Sequence, residues 1–235
     1  MTVLAVGDSV SFGYELGDLP GPVHGVVNQY LDLGTMQTKP ITPSLGAFPQ
    51  LLANRMGTDC ENLSLIGGSN DRTFRITADR VLQQQYDLVV CSWTGIDRFD
   101  FVYNDQDIAL NVGTSEWQSR QFPWLKSYIT DHYSTQHMTN RFYAQLVGLQ
   151  ALLKQLNQPY IFVNGCGVQS MVPGHYLYRH YAQHIDHDRY FMYNSDLTLL
   201  CELQGVACGP YGHFLEAGHE YVADQLWAFA QEHQL

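Results

Sequence analysis

Residues 2–9 of the chain read TVLAVGDS, a short apolar run that stops at the small and polar residues Gly7-Asp8-Ser9. A run of this kind predicts a buried strand of a parallel sheet, because helices cover both faces of such a sheet. Three later runs have the same form: Asn62–Ile66 stops at Gly67, Asp87–Trp93 stops at Thr94-Gly95, and Tyr160–Val163 stops at Asn164-Gly165. Ligands of parallel sheets bind at the carboxyl ends of the strands, so the residues at these ends are the first candidates for a functional site.

Segments with helical periodicity separate these runs. A long amphipathic helix is predicted by apolar residues spaced by four and three, namely Phe142, Leu146, Leu149, Leu153 and Leu156. Further helices are expected from Pro49 to Gly57, after a cap at Ser69 or Asn70, and around Val222. Strands that alternate with helices predict an α/β protein whose parallel sheet forms the middle of a three-layer α/β/α sandwich. The sequence shows no repeat or linker, which predicts a single domain over residues 1–235.

Two stretches show no regular periodicity and are predicted to be long loops, over about residues 13–43 and 98–139. The first is rich in glycine and proline, and the second is polar and aromatic. Long loops inside a compact domain are usually functional when they are ordered. Both leave the carboxyl ends of predicted strands, so we expect them to form walls of a substrate cleft.

The composition excludes several classes of protein. Apolar residues make up 45% of the 235 residues and charged residues only 15%, which is typical of a globular chain. The 23 acidic and 12 basic residues give a net charge of −11, which argues against binding to nucleic acids or to an anionic membrane surface. No stretch approaches the ~18 apolar residues of a spanning helix, and Asp8 interrupts the first apolar run, unlike in a secretory signal. We expect a cytoplasmic protein, or one released by lysis such as a virion component.

Ser9 and His213 are the candidates for nucleophilic catalysis. A serine at the carboxyl end of the first strand can attack a carbonyl carbon if a neighbouring base takes its proton. The best candidate base is His213, which lies in GPYGHFLEAGH (residues 209–219), just before the last predicted helix. His219, six residues later, is the second candidate base. The structural alternative is that Ser9 only caps or ends a turn and that His213 is a loop residue at a helix start.

Four blocks in this order resemble the GDSL/SGNH hydrolase family. They are GDSVSFGYEL (residues 7–16), NLSLIGGSND (residues 62–71), a Gly-x-Asn-like site after the third strand and a late histidine before the final helix. The resemblance covers nearly the whole chain and implies a flavodoxin-like α/β/α sandwich that hydrolyses acyl esters without a cofactor. It further implies that Ser9 is the nucleophile, that His213 is the base, and that the backbone N–H groups of Ser9 and Gly67 form the oxyanion hole.

The third block departs from the family pattern, which is Gly-x-Asn-Asp with an asparagine side chain on the oxyanion. Here residues 93–98 read WTGIDR, so that Asp97 replaces the asparagine. A carboxylate cannot donate a hydrogen bond, and Asp97 would repel the oxyanion unless it were protonated or turned toward Arg98. Asn70 or Asn164, each just past a strand end, could supply the missing amide. Asp97 and Arg98 could equally form a structural ion pair.

The last block lacks the acid that the family places three residues before the histidine, because that position is Pro210. A backbone carbonyl, Glu202 or Asp196 could orient His213 instead, and the spacing does not choose among them. Asp8, beside the nucleophile, is grouped with the candidate substrate-contacting residues, although a hydrogen bond to nearby backbone is its expected role. The other members of that group are Asn70, Arg98 and Asn164.

A histidine-rich segment raises the possibility of a metal site. His180 and His184 are four residues apart, so one face of a helix could present both to a zinc ion. The neighbouring candidate ligands are His175, His187, Asp186 and Asp188. Several tyrosines and arginines share the segment, which is equally typical of an aromatic surface or a subunit contact. We predict that the site holds no metal, and metal-dependent hydrolysis stays the third hypothesis.

These observations predict a serine esterase, with an O-acetyl group on a carbohydrate as the expected substrate. Aromatic residues make up 13% of the chain, and aromatic loop residues around a polar centre suit stacking against sugar rings. The sequence contains no very apolar lid segment, which favours small acyl groups over long chains. The rival prediction is a catalytically weak or inactive domain that binds a glycan or acts as a component of an assembly, because Pro210 and Asp97 replace residues of the family pattern.

Overall fold

The computed structural model describes residues 1–18, 29–32, 37–103, 106–111, 123–166 and 180–235 of the chain. In chain order, the elements are β1 (Thr2–Val6), α1 (Ser9–Phe12), β2 (Gln29–Asp32), β3 (Gln37–Pro40), α2 (Phe48–Met56), β4 (Asp59–Asn62), α3 (Asn70–Gln83), β5 (Leu88–Trp93), β6 (Arg98–Tyr103), β7 (Gln106–Asn111), α4 (Pro123–Asp131), α5 (Thr135–Gln155), β8 (Tyr160–Asn164), a 3₁₀ helix (His187–Arg189), α6 (Leu197–Leu203) and α7 (Glu216–Glu232).

Four parallel strands form the central sheet, in the order β4-β1-β5-β8. The register is regular, with Val3 of β1 opposite Cys60 of β4 on one side and opposite Leu88 of β5 on the other. If only the strands of this sheet are numbered along the chain, their order is 2-1-3-4. The five-stranded flavodoxin-like sheet has the order 2-1-3-4-5, so the first four strands agree. Because all four strands run in the same direction, their carboxyl ends lie along one edge of the sheet.

Helices cover both faces of this sheet. Successive residues of a strand point to opposite faces, and this alternation divides the apolar residues between two cores. Leu4 and Val89 lie in the core that α3 and α5 cover, whereas Val3 and Val90 lie in the core that α2, α6 and α7 cover. The predicted three-layer α/β/α fold around a parallel sheet is therefore confirmed. None of the helices in the described part of the chain is long and apolar enough to cross a membrane.

The second strand begins earlier than its sequence pattern predicts. The predicted run is Asn62–Ile66, but the regular ladder with β1 covers Asp59–Asn62. Leu63 and Leu65 still follow β1, since their N–H groups donate to the Ala5 and Gly7 carbonyls at 2.8 and 3.0 Å. The apolar alternation therefore marks an extended continuation of the strand that leads to Gly67.

The prediction that residues 13–43 and 98–139 lack regular structure is wrong in part. Each stretch contains an antiparallel pair, formed by β2 with β3 and by β6 with β7. The second also contains α4 and the beginning of α5. Such hairpins pair strands that are close in sequence, so they form without adding to the central sheet. The polar and apolar alternation of residues 98–101, which read RFDF, is the signal from which a strand could have been predicted there.

Gly7 is the point where backbone packing is tightest around the end of β1. A Cβ atom at this position would lie 2.3 Å from Ser11 Oγ and 2.5 Å from Ser92 Cβ. Gly68, at the end of the neighbouring segment, packs onto the same point, because a Cβ there would lie 2.8 Å from the Gly7 carbonyl oxygen. The two glycines thus let the turn after β1 and the turn after β4 approach each other.

We expect Gly7→Ala to lower the free energy of unfolding by about 1–3 kcal/mol, because the added methyl group overpacks this junction. The matched control is Gly148→Ala in the exposed middle of α5, where the new Cβ would lie 3.8 Å from Phe74 Cε2. That variant should gain about 0.5–1 kcal/mol from the lower backbone entropy of alanine. Urea unfolding of the two variants measures both effects, and equal stabilities would contradict the packing argument.

Candidate active site

Ser9 lies where β1 passes directly into the short helix α1. Asp8 caps that helix, since its Oδ1 accepts a hydrogen bond from the Val10 N–H at 3.1 Å, and Gly13 ends it with φ +79°. The first N–H groups of a helix have no acceptor within the helix. In the described part of the chain, the Ser9 N–H also donates to no other group. A hydroxyl and a free N–H therefore meet at the carboxyl edge of the sheet.

His213 contacts Ser9 directly. Its Nε2 atom lies 2.8 Å from Ser9 Oγ, although 204 residues separate the two in sequence. A tight turn places the ring there, since the Gly209 N–H donates to the His213 carbonyl at 2.8 Å and Gly212 has φ +84°. The Tyr14 ring packs edge-on against the imidazole at 5.1 Å between centroids. The predicted nucleophile and base are thus brought together in the geometry that proton transfer requires.

The group that orients His213 is Glu15, which the sequence reasoning missed. Its Oε2 atom lies 2.9 Å from His213 Nδ1 and also accepts the His213 backbone N–H at 3.1 Å, while Oε1 accepts the Tyr211 N–H at 2.9 Å. Because a carboxylate only accepts hydrogen bonds, Nδ1 carries the proton and Nε2 is left to accept the Ser9 hydroxyl proton. Glu202 and Asp196, the acids considered for this position, do not contact Nδ1.

Glu15 is held in place by backbone geometry as well as by its hydrogen bonds. It has φ +75°, a left-handed conformation that is uncommon for a residue with a side chain. Gly209 leaves room for the carboxylate, since a Cβ there would lie 2.5 Å from Glu15 Oε1. Burial alone would raise the pKa of Glu15, but the hydrogen bonds from Tyr211 and His213 outweigh it and lower that pKa. The signal in the sequence was an acid six residues after Ser9, in the same block.

The second oxyanion candidate, Gly67, lies in the turn that packs on the end of β1. It has φ +74°, which only glycine adopts readily, and its N–H donates to no group among the described residues. Three residues after Gly67, the Asn70 side chain is buried at the start of α3. Its amide accepts the Thr94 N–H and donates to the Thr94 carbonyl, both at 2.9 Å, and among the described residues the second amide hydrogen has no acceptor.

Asn164 is not available to a substrate, which corrects the expectation that it could supply an oxyanion donor. Both of its amide hydrogens are in use, since Nδ2 donates to the Tyr193 and Ser195 carbonyls at 3.0 and 2.8 Å. Its Oδ1 accepts the Tyr190 hydroxyl at 2.5 Å. The side chain is 1% exposed and joins the end of β8 to the segment after the 3₁₀ helix.

Asp8 and Arg98 form a buried group behind Ser9. Asp8 is fully buried, and its Oδ2 accepts the Cys166 thiol hydrogen at 3.0 Å and lies 4.0 Å from Arg98 Nη1. Arg98 Nη2 contacts Cys166 Sγ at 3.5 Å. The guanidinium therefore turns toward Asp8. Asp97 is half-buried. The pKa of Tyr133 is raised mainly by the burial of Tyr133 and in addition by the charge of Asp97. The contacts of Asp8 are thus hydrogen bonds from protein groups, as expected from the sequence.

His219, the second candidate base, lies in the core. Its Nδ1 atom accepts the Phe48 backbone N–H at 3.0 Å, and the ring is 1% exposed between Phe48 and Phe214. Burial, and to a smaller extent the nearby His213, lower the pKa of His219 to about 3. A neutral ring whose Nδ1 is occupied and whose surroundings exclude water is a structural group.

The histidine-rich segment is only partly described, and His175 lies outside the described residues. His180 and His184 have ring centroids 6.0 Å apart, and His187 packs edge-on against Tyr193 at 4.9 Å. No group of three or more His, Cys, Asp or Glu side chains in the described ranges is arranged to hold a metal ion.

Comparison with known proteins identifies a family and a shared fold. The model of DUF6071, a family of unknown function, matches residues 42–235, which include His213 but not Ser9 or Glu15. No curated protein sequence matches the chain.

Several solved structures share the fold at low identity. The psychrotrophic esterase EstA from Pseudoalteromonas sp. has a TM-score of 0.52 at 11% identity, over 98% of this chain and 97% of that one. LAE5, an α/β hydrolase from the metagenome of Lake Arreo, Spain, has a TM-score of 0.50 at 15% identity, over 98% and 94%. A two-domain esterase active on acetylated mannans has a TM-score of 0.51 at 11% identity; 99% of this chain covers 49% of that one.

The free energy of unfolding should decrease as the pH is lowered, because of His219. With a pKa of about 3 in the folded protein and about 6.5 when unfolded, this residue binds protons preferentially in the unfolded state. Its contribution to stability is therefore complete above pH 6.5 and is lost toward pH 3, with a slope of up to about 1.4 kcal/mol per pH unit. His219→Asn keeps an acceptor near the Nδ1 position and should flatten this dependence. Urea unfolding between pH 4 and 8 measures it.

The matched control for this measurement is His137→Asn, since His137 is exposed on α5. That variant should keep the steep pH dependence of the unaltered protein. A slope that His219→Asn leaves unchanged would show that other groups cause the loss of stability in acid.

Proposed function

Since the chain belongs to DUF6071, a family of unknown function, we propose its activity from its own residues: it is an SGNH-type serine hydrolase that cleaves acyl esters. The observation that carries this proposal is the continuous array of Ser9 Oγ, the His213 ring and the Glu15 carboxylate, with separations of 2.8 and 2.9 Å. Nucleophile, base and orienting acid in hydrogen-bonded sequence are the arrangement that activates a serine. The fold, which is shared with esterases, is compatible with this chemistry.

In the first step, Ser9 Oγ bonds to the acyl carbon while His213 Nε2 takes the hydroxyl proton. The carbonyl electron pair moves to the oxygen, and the ionised Glu15 stabilises the imidazolium that forms. When the tetrahedral intermediate collapses, the bond to the alcohol oxygen breaks and that oxygen receives the proton from Nε2. A water molecule then repeats the sequence on the acyl-serine and releases the carboxylic acid.

The oxyanion is proposed to lie between the N–H groups of Ser9 and Gly67. Both groups lie at the carboxyl edge of adjacent parts of the sheet, and both are free of other acceptors in the described structure. The remaining amide hydrogen of Asn70 is the proposed third donor. It would replace the asparagine that the GDSL/SGNH family carries where this chain has Asp97. We give Asp97 no part in the reaction, because an ionised carboxylate would oppose the developing negative charge.

The natural substrate is proposed to be a carbohydrate with a small acyl group such as acetyl. The cavity beside His213 is small and mainly polar in its lining, which suits a hydroxylated alcohol better than a long acyl chain. The rival proposal, an inactive glycan-binding domain, loses much of its basis because Glu15 supplies the acid that Pro210 does not.

We expect Ser9→Ala to abolish hydrolysis of p-nitrophenyl acetate, since the nucleophilic oxygen is removed. A fluorophosphonate probe should label the unaltered protein and fail to label the variant. Ser127→Ala is the control, because Ser127 is an exposed serine of α4 whose hydroxyl contacts only Asp131 in the described structure. Turnover that persists in Ser9→Ala, or that disappears with EDTA, would refute the serine mechanism.

Glu15→Gln should reduce kcat by roughly 10³- to 10⁴-fold, as loss of the orienting acid does in other triads. KM should change little, because Glu15 touches His213 and Tyr211 and not the cavity. The exposed Glu232→Gln carries the same charge change at the far end of α7 and serves as control. If Glu15→Gln instead left kcat within about tenfold, His213 would be oriented by its loop alone. Urea unfolding of the same variants separates an effect on catalysis from one on folding.

A further inference from the structure

A cavity of about 250 Å³ opens beside His213, between the start of α6 and the turn at residues 209–213. It lies below the range of drug-sized pockets, so it suits a single small ring. Its lining offers charged groups of both signs, one tyrosine ring and the imidazole of His213. The residues that matter are Arg98, Cys166, Asp196, Glu202, Tyr211 and His213.

Arg98 is the basic residue in the lining of this cavity. Its side chain is 15% exposed, and Nη1 is buried without a hydrogen-bond acceptor in the described structure. The nearest carboxylate oxygen, Asp8 Oδ2, is 4.0 Å away, beyond hydrogen-bonding distance but close enough to offset the charge. Arg98 also lines the cavity, and a guanidinium carries five N–H donors, so the exposed part of the side chain can donate to an oxygen acceptor of a ligand. Since Asp8 already balances the charge, that acceptor need not be an anion.

Two acidic residues also line the cavity. Asp196 is 5% exposed and caps α6 through the Leu199 N–H at 2.8 Å. Burial raises the pKa of Asp196, and repulsion by Asp8 and Glu202 raises it further. Glu202 is exposed at the rim, and no cation of the described residues lies within ion-pair distance of it. These carboxylates accept hydrogen bonds from hydroxyl groups and repel anions.

Tyr211 forms the mouth of the cavity. Its residue surface is 54% exposed, while its backbone is fixed by the hydrogen bond from its N–H to Glu15. An exposed aromatic ring on a fixed backbone can stack against the apolar face of a sugar at little entropic cost. The platform lies two residues from His213, beside the reacting atoms.

We propose that this cavity is the subsite for the alcohol part of the substrate and that it selects a neutral, hydroxylated ring. Arg98 donates to a ring oxygen or hydroxyl, Tyr211 stacks on the ring, and Glu202 with Asp196 disfavours a carboxylate on it. The assignment to the alcohol part of an ester rests on the proposed esterase function. The selection itself is a property of binding, and it is tested without turnover. Esters of acidic sugars are accordingly poor substrates.

The test measures binding of methyl glucoside and methyl glucuronide to the Ser9→Ala variant by saturation-transfer NMR. The two ligands have the same ring and differ at one substituent, which is a neutral hydroxymethyl group in the glucoside and a carboxylate in the glucuronide. We expect the glucuronide to bind at least about threefold more weakly at low salt, as a charge at about 6 Å in water predicts. Glu202→Gln should bring the two dissociation constants closer, whereas the exposed Glu232→Gln should leave their ratio unchanged. Tyr211→Ala should weaken both ligands alike.

Each result decides between the hypotheses. Equal affinities for the two ligands, no binding of either, or a ratio that Glu202→Gln leaves unchanged would overturn the subsite proposal. If Glu202→Gln does not fold, a ratio in the Ser9→Ala variant that fails to shrink with added salt would overturn it as well. Absence of p-nitrophenyl acetate turnover in the unaltered protein, together with charge-selective binding, would refute the esterase and leave the subsite standing.

Discussion

The carboxylate of Glu15 joins the first and last segments of the chain at the site. It accepts hydrogen bonds from two backbone N–H groups of the turn at residues 209–213 and from the ring of His213 within the same turn. This contact positions the imidazole over Ser9, which precedes Glu15 by only six residues. The proposed nucleophile and the proposed acid therefore come from one short segment, and the proposed base is brought to them from the last part of the chain.

Several nearby contacts support that junction. The Gly17 N–H donates to Glu216 Oε1 at the start of α7, and the Asn62 amide donates to the Ser11 carbonyl. Gly209 has no side chain, which leaves space for the Glu15 carboxylate. Hydrogen bonds to an ionised group contribute more to stability than neutral ones, about 1.5–3 kcal/mol each. The left-handed conformation of Glu15 opposes them at a smaller energetic cost.

The acidic and basic groups around Ser9 fall into two sets with different surroundings. Asp8, Arg98 and Cys166 form a buried set that connects the ends of β1, β5 and β8. The second set, Asp196 and Glu202, faces the cavity beside His213. Arg98 belongs to both, because its guanidinium reaches from Asp8 to the cavity. A charge that is balanced from behind can still donate hydrogen bonds forward, and this is how one arginine serves structure and recognition together.

The sequence by itself determined the alternation of strands and helices, the turns at Gly7 and Gly67 that follow two of the strands, the strand end at Asn164, and the candidates Ser9 and His213. These features follow from local periodicity and from the order of short blocks, which neighbouring residues encode. Only the tertiary structure decided which acid meets His213, which amide is occupied, and which histidine is buried. Glu15, Asn164 and His219 owe their roles to partners more than 25 residues away, such as Tyr211, Tyr190 and Phe48. Local pattern carries no information about such partners, because it is the packing of the sheet and its helices that brings them into contact.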